Sequence, residues 1–147
     1  MNVTILPGKA AGTVAAPPSK SMAHRLLICA GLAEGVSRIS GLQYNEDILA
    51  TIHCLRAMGA ICAIEGDTVT VTGIDPHKAI PGQSLVCRES GSTLRFFIPL
   101  ALLCGRRVSF TGTRKLLSRP LGVYEDICRE RGFAFSRQED LLRVQGN

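Results

Sequence analysis

Three short segments concentrate the residue types that bind anions. The first is Pro17-Pro18-Ser19-Lys20-Ser21, with Arg25 one turn further on. The second is Arg88-Glu89-Ser90-Gly91-Ser92-Thr93, followed by Arg95. The third is Arg114-Lys115-Leu116-Leu117-Ser118-Arg119-Pro120. Each precedes a helical pattern, and a helix start offers unpaired N–H groups and the positive end of its dipole. In the first segment Lys20 adds a mobile point charge, Arg25 a planar fork for carboxylate or phosphate, and Ser19 and Ser21 hydroxyls. An ordinary serine-capped helix with two solvated cations fits it equally. In the second, Gly91 admits a ligand close to the backbone, and Ser92 and Thr93 bring hydroxyls. An ordinary cap at Ser90 or Ser92 also fits, and Glu89 disfavours an anion unless it pairs with Arg88. In the third, Pro120 suits the first helical position. That puts Arg119 at a helix N-terminus, where a cation is unfavourable unless an anion joins it; Arg114 and Lys115 read as a solvated loop. A fourth start, Glu46-Asp47, simply complements the dipole, although Asp47 can also accept a hydrogen bond from a bound hydroxyl.

The elements that must position these residues are written twice. Residues 46–73 lie over residues 119–146 at a constant shift of 73, matching Arg56 with Arg129, Gly59 with Gly132, Asp67 with Asp140 and Gly73 with Gly146. Upstream the shift shortens, so that Arg25 faces Arg95 and Gly35 faces Gly105. Repetition at this period marks a supersecondary unit that cannot bury its own core. In the first copy the pattern predicts a helix over 21–33 with Met22, Leu26, Ala30 and Ala33 on one face, ended by Gly35, and a strand over 36–41. A helix capped by Asn45 follows, with Ile48, Ile52 and Leu55 inward and Gly59 as its stop, then a hairpin of strands 60–65 and 68–72 across Gly66-Asp67. The second copy predicts strand 84–87, helix 92–104, strand 106–111, helix 120–131 and a hairpin of 133–137 with 141–145. Unit one spans about 14–73, unit two about 84–146, and the Pro- and Gly-bearing stretch 74–83 is a linking loop. With a leading strand each unit is βαβαββ, an α/β or α+β arrangement with helices on one sheet face. Equivalent helices start at equivalent ends of the sheet, which brings the Lys20 and Gly91 segments, and Arg119, to one side. The end at Gln145-Gly146-Asn147 coincides with the end of a repeat and reads as a cut between units.

Composition limits the alternatives. Of 147 residues, 46% are apolar and 5% aromatic, so aliphatic side chains must fill the core. No run approaches the ~20 apolar residues of a membrane span, and residues 1–9 lack the layout of a signal peptide; a cytoplasmic protein is expected. The six cysteines fall singly among apolar neighbours, without zinc spacing, and read as reduced small hydrophobes. The net charge of +5 suits small anions or nucleic acid. The cations form no run and do not alternate with aromatics, which weakens the nucleic-acid reading.

PPSKSMAHR, ESGSTLRFFIPLAL and LLSRPLG, in this order and spacing, closely resemble the N-terminal part of the 5-enolpyruvylshikimate-3-phosphate synthase family. The resemblance covers essentially the whole chain. It implies an inside-out barrel of six βαβαββ units, about two of them present, and a C-terminal domain beyond Asn147 that supplies the other half of the site. It implies transfer of the enolpyruvyl group of phosphoenolpyruvate to the 5-hydroxyl of shikimate 3-phosphate, with release of phosphate and without metal or organic cofactor. Matching motif positions assign Lys20 to both substrates and to catalysis, Ser21 and Arg25 to shikimate 3-phosphate, and the Gly91 backbone with Arg119 to phosphoenolpyruvate. Asp47, Glu89, Ser92 and Thr93 are further candidates. One departure stands out: the family pattern Asn-Ser-Gly-Thr or Asn-Ala-Gly-Thr is Glu89-Ser90-Gly91-Ser92 here. The implied partners are the two small substrates and the C-terminal domain, with no nucleic acid and no membrane, and the chain alone is expected to be inactive.

Two other readings compete. The transferase acting on UDP-N-acetylglucosamine resembles Cys-x-x-x-x-Arg-Pro in the third segment, where this chain has Arg114 before Arg119-Pro120 and no cysteine in the loop. A non-catalytic anion- or RNA-binding module shares the βαβαββ unit but would need an aromatic stacking platform.

Overall fold

The computed structural model describes residues 2–4, 6–9, 11–79 and 84–147. Helix α1 (Lys20–Leu32) is capped by Ser19, whose side chain accepts from the Met22 amide. Strand β1 (Val36–Ile39), helix α2 (Glu46–Ala57) and the hairpin β2 (Ile61–Glu65)–β3 (Thr68–Thr72) complete the first unit. Asn45 caps α2 by accepting from the Asp47 and Ile48 amides. The second unit runs β4 (Leu85–Val86), α3 (Gly91–Leu103), β5 (Val108–Thr111), α4 (Arg114–Leu117), α5 (Gly122–Arg131), β6 (Ala134–Arg137) and β7 (Leu141–Gln145).

The first sheet has the order β1-β3-β2, all antiparallel, and the second β4-β5-β7-β6, with β4 parallel to β5. A leading strand before α1 was expected from the repeat; among the described residues none precedes α1, and residues 11–19 are exposed and form neither helix nor strand. The repeat-equivalent place, beside β1, is unpaired among the described residues. Of the linking stretch, Pro76–Lys78 form one 3-10 turn capped by Asp75, and residues 80–83 lie outside the described residues.

One apolar core joins both units. α2 lies between α1 and α3, and Ile48, Ile52 and Leu55 of α2 bury with Leu27 of α1 and Leu94, Phe97 and Ile98 of α3. The α1 face differs from the sequence expectation: Ala23, Leu27 and Ala30 point inward, whereas Met22 and Leu26 are about half exposed. The cause is the approach of α2. Gly31 lets Leu55 in so closely that a Cβ there would lie 2.4 Å from Leu55 Cδ2. The helix is apolar on more than one side, so periodicity alone admits either face.

The matched glycines have matched reasons. Gly59 (φ 110°), one residue past the Met58 cap of α2, and Gly132 (φ 69°), directly after α5, are positive-φ helix stops. Gly73 and Gly146 are close-approach positions at the C-terminal ends of α1 and α3. A Cβ on Gly73 would lie 2.1 Å from the Ala33 carbonyl oxygen, and one on Gly146 2.0 Å from that of Leu102. Each repeat thus ends by laying its last strand against the carbonyl end of its first helix.

Gly73→Ala should therefore destabilise the chain by about 1–3 kcal/mol, because backbone rather than a side-chain tip must move. Gly122→Ala, with nothing within 4 Å, should change stability by under about 1 kcal/mol or raise it. Urea melts of the two variants check this, and equal effects would refute it.

Candidate functional site

The starts of α1, α2 and α3 meet on one side of the molecule, and Asp47 of α2 links all three. Its carboxylate receives Lys20 Nζ at 2.6 Å, and its carbonyl oxygen accepts from the Thr93 hydroxyl of α3 at 3.3 Å. Lys20, Asn45, Glu46, Asp47, Arg88 and Glu89 line an open cavity of about 430 Å³ there. Lys20 keeps 51% of its side-chain surface exposed, so the Asp47 contact is a screened surface pair that orients the ammonium more than it stabilises the fold.

The cations of the second segment are sorted by partner. Arg88 donates to Glu46, which cancels its charge and leaves Glu89 without a cationic partner among the described residues. Arg88 has φ 54°, a left-handed conformation uncommon outside glycine, and its carbonyl accepts from the Thr113 amide at 2.9 Å. This turn feeds the chain from β4 into the cap of α3, where Ser90 accepts from the Thr93 amide.

At the α3 start two guanidinium groups converge on Gly91. A Cβ there would lie 2.5 Å from Arg119 Nη1 and 2.9 Å from Arg95 Nη1. Neither arginine has a carboxylate partner among the described residues. Arg95 is held by the carbonyl oxygens of Gly91 (3.4 Å) and Pro120 (3.5 Å), and its own carbonyl accepts from Tyr124 Oη at 3.0 Å. The Arg119 backbone is fixed by Arg137, which donates to its carbonyl at 3.0 Å. Two like charges at the positive end of a helix dipole repel one another and the helix, and an anion between them relieves both. α1 repeats the device: Arg25 Nη1 donates to the Ser21 carbonyl at 2.9 Å, as Arg95 does to Gly91, and Arg25 Cζ lies 5.5 Å from the Phe96 ring centroid.

The family model described as EPSP synthase (3-phosphoshikimate 1-carboxyvinyltransferase) matches residues 6–140. The chain belongs to the EPSP synthase family. It is 42% identical over 140 residues to the 3-phosphoshikimate 1-carboxyvinyltransferase of Clostridium perfringens, covering 95% of this chain and 33% of that protein. It is 42% identical over 150 residues to the protein of the same name from Clostridium beijerinckii, covering 98% and 34%. The solved EPSP synthase of Acinetobacter baumannii superposes with a TM-score of 0.80 at 26% identity, over 97% of this chain and 34% of that one. The chain spans about a third of the length of the relatives it matches.

Within the EPSP synthase fold the sequence candidates are distributed unevenly. Lys20, Asp47 and Glu89 share the cavity, and Gly91 and Arg119 form the guanidinium-covered helix start. Ser21 and Ser92 are exposed beside these helix starts. Thr93 is turned away: it is fully buried, with its hydroxyl committed to Ser90 and Asp47. The third segment differs from expectation. Arg114–Leu117 form a short helix capped by Thr113 where a loop was expected, and α5 starts at Gly122, after Pro120. Arg119 therefore lies between two helices and reaches the start of α3 rather than that of α5. Arg95, which the sequence placed after the second segment without assigning it a substrate, joins Arg119 at Gly91 from four residues further along the same helix face.

Gly91→Ala should leave the fold intact within about 1 kcal/mol, since the displaced groups are side-chain tips. It should weaken the affinity for inorganic phosphate about tenfold by pushing both guanidinium groups aside. Phosphate titration of parent and variant by amide NMR checks this; unchanged affinity would refute the site.

Proposed function

We propose that this chain supplies one half of an active site that transfers the enolpyruvyl group of phosphoenolpyruvate to the 5-hydroxyl of shikimate 3-phosphate. The observation that carries the reading is the convergence of Arg95 and Arg119 on Gly91, beside a cavity that holds Lys20. A substrate pair with two phosphates and two carboxylates needs cations fixed before it arrives, and helix starts provide them without reorganisation.

In this reading the phosphate or carboxylate of phosphoenolpyruvate lies against the Gly91 amide and the Arg119 fork, and Ser21 and Arg25 hold shikimate 3-phosphate. Lys20 stands between them and stabilises the negative charge gathered in a tetrahedral intermediate. That intermediate forms when the 5-hydroxyl gives up its proton and adds to C2 of phosphoenolpyruvate while the methylene carbon C3 takes up a proton to become a methyl group. Loss of phosphate from C2 and of a proton from the C3 methyl group then restores the double bond, now as the enol ether of the product. Glu89, without a cation of its own among the described residues, lowers the positive potential at one wall of the cavity, and Asp47 orients Lys20. The remaining charges of the site, and its closure, belong to the two thirds of the relatives' length that this chain does not span. A cytoplasmic setting fits the six cysteines, none of which is disulfide-bonded.

The test is phosphate release. A protein continuing past Asn147 to the relatives' full length should release phosphate only when both substrates are present. Lys20→Ala should lower kcat/KM by about 10²–10³-fold, as for loss of a fixed electrostatic group. The 147-residue chain alone should release none. Turnover by the chain alone would overturn the half-site reading, and absence of turnover by the long protein would overturn the activity.

A further inference from the structure

Beneath the site runs a line of buried polar groups that no ligand contact explains. His24, in the second turn of α1, is 1% exposed. Its Nδ1 lies 2.7 Å from Thr51 Oγ1 on α2. Thr51 Oγ1 lies 2.8 Å from Thr93 Oγ1 on α3. Thr93 Oγ1 lies 2.7 Å from Ser90 Oγ and 3.3 Å from the Asp47 carbonyl oxygen. Ser90 Oγ is the cap of α3. The line thus begins on the helix that bears Lys20 and ends one residue before Gly91.

The proton directions follow from one fixed end. A carbonyl oxygen only accepts, so the Thr93 hydroxyl points its single proton toward Asp47 and Ser90. Thr93 therefore accepts from Thr51, and Thr51, its proton spent, accepts from His24. The network assigns His24 as the Nδ1–H tautomer, and its Nε2 is left buried without a partner among the described residues. An unpaired buried nitrogen is costly to keep, and what it accompanies is an unbroken donor line to the α3 cap.

We propose that His24 is a positioning residue, whose Nδ1–H anchors the hydroxyl line that fixes the Ser90 cap and so holds Gly91 in place relative to Lys20. It touches no ligand and acts through Thr51 and Thr93. A leucine at this position would leave Thr51 without its donor and free the line to rotate. An asparagine can place its amide N–H where Nδ1–H now sits, and cannot ionise.

The geometry also gives a pH dependence. Burial holds the His24 imidazole below its usual range; the Asp47 carboxylate opposes this, and Lys20 and Arg25 reinforce it. α3 faces the ring with Phe96, its centroid 6.5 Å away, and with Thr93, neither of them charged. Below about pH 6.5 the unfolded chain takes up a proton at this ring that the folded chain resists, so stability is present above that pH and is lost as pH falls.

The inference rests in part on the reading of Gly91 as a ligand site, and two ligand-free readouts keep it separable from that reading. On the 147-residue chain, long-range ¹⁵N–¹H correlations should report the Nδ1–H tautomer of His24. His24→Leu should speed amide exchange at Thr93 about tenfold, as a locally loosened cap does, and weaken phosphoenolpyruvate binding about fivefold. His24→Asn should restore both to within about twofold, and its melting temperature should fall less than the parent's between about pH 7.5 and 5.5. An Nε2–H tautomer in the parent, or parent-like Thr93 exchange in His24→Leu, would overturn the proposal. Should His24→Leu not fold, the parent tautomer and the His24→Asn pH profile decide. If the parent binds no phosphoenolpyruvate, the substrate reading fails, and the tautomer and exchange results still judge His24.

Discussion

Helix α2 is packed on two sides, against α1 of its own unit and α3 of the next, and the site depends on that confinement. Its buried residues Ile48, Ile52 and Leu55 join the cores of the two sheets into one. Its first turn carries Asp47, whose carboxylate meets Lys20 and whose carbonyl meets Thr93. A small apolar unit gains little from burying its own sheet alone. Sharing a core through α2 gives each repeat a partner and, as a consequence of the repeat, brings equivalent helix starts side by side. Repulsion between cations gathered at those starts is then carried by the core rather than avoided.

The site uses the repeat symmetrically and then departs from it. Arg25 and Arg95 each reach back to the carbonyl four residues earlier, on helices related by the repeat. The departure lies in the neighbours. At α1 a lysine stands at the helix start and is met by Asp47. At α3 a glycine stands there and is covered by Arg119, delivered from the segment between α4 and α5. One start therefore presents an oriented ammonium above a carboxylate, and the other a bare backbone under guanidinium groups. Two related helix ends have become chemically distinct by a few substitutions and one added turn.

Much of this was legible in the sequence because it is local. Ser19, Asn45 and Ser90 cap helices, Gly66-Asp67 turns a hairpin, and Gly59 and Gly132 end helices, each for reasons contained within a few residues. The register of the repeat located the paired glycines, and the structure supplied their cause at the ends of α1 and α3. What the sequence could not settle depends on distant packing. The inward face of α1 is chosen by Leu55 pressing on Gly31, and α1 is apolar enough to offer two faces. The path of Arg119 depends on the short α4, whose four residues carry no periodic signal. The leading strand before α1, inferred from symmetry, is not formed among the described residues. His24, Thr51 and Thr93 are unremarkable singly and become a line only when three helices meet.

If the starts of α1 and α3 form an anion-binding half-site before any other part of a larger protein is added, the 147-residue chain by itself binds shikimate 3-phosphate. An amide NMR titration of that chain with shikimate 3-phosphate, with UDP-N-acetylglucosamine as the control, decides the matter. Saturable shifts at Lys20, Ser21 and Arg25 with shikimate 3-phosphate alone are the expected result. No shifts in a folded sample, or shifts there only with the UDP-sugar, would show that these helix starts are not a preformed shikimate 3-phosphate half-site.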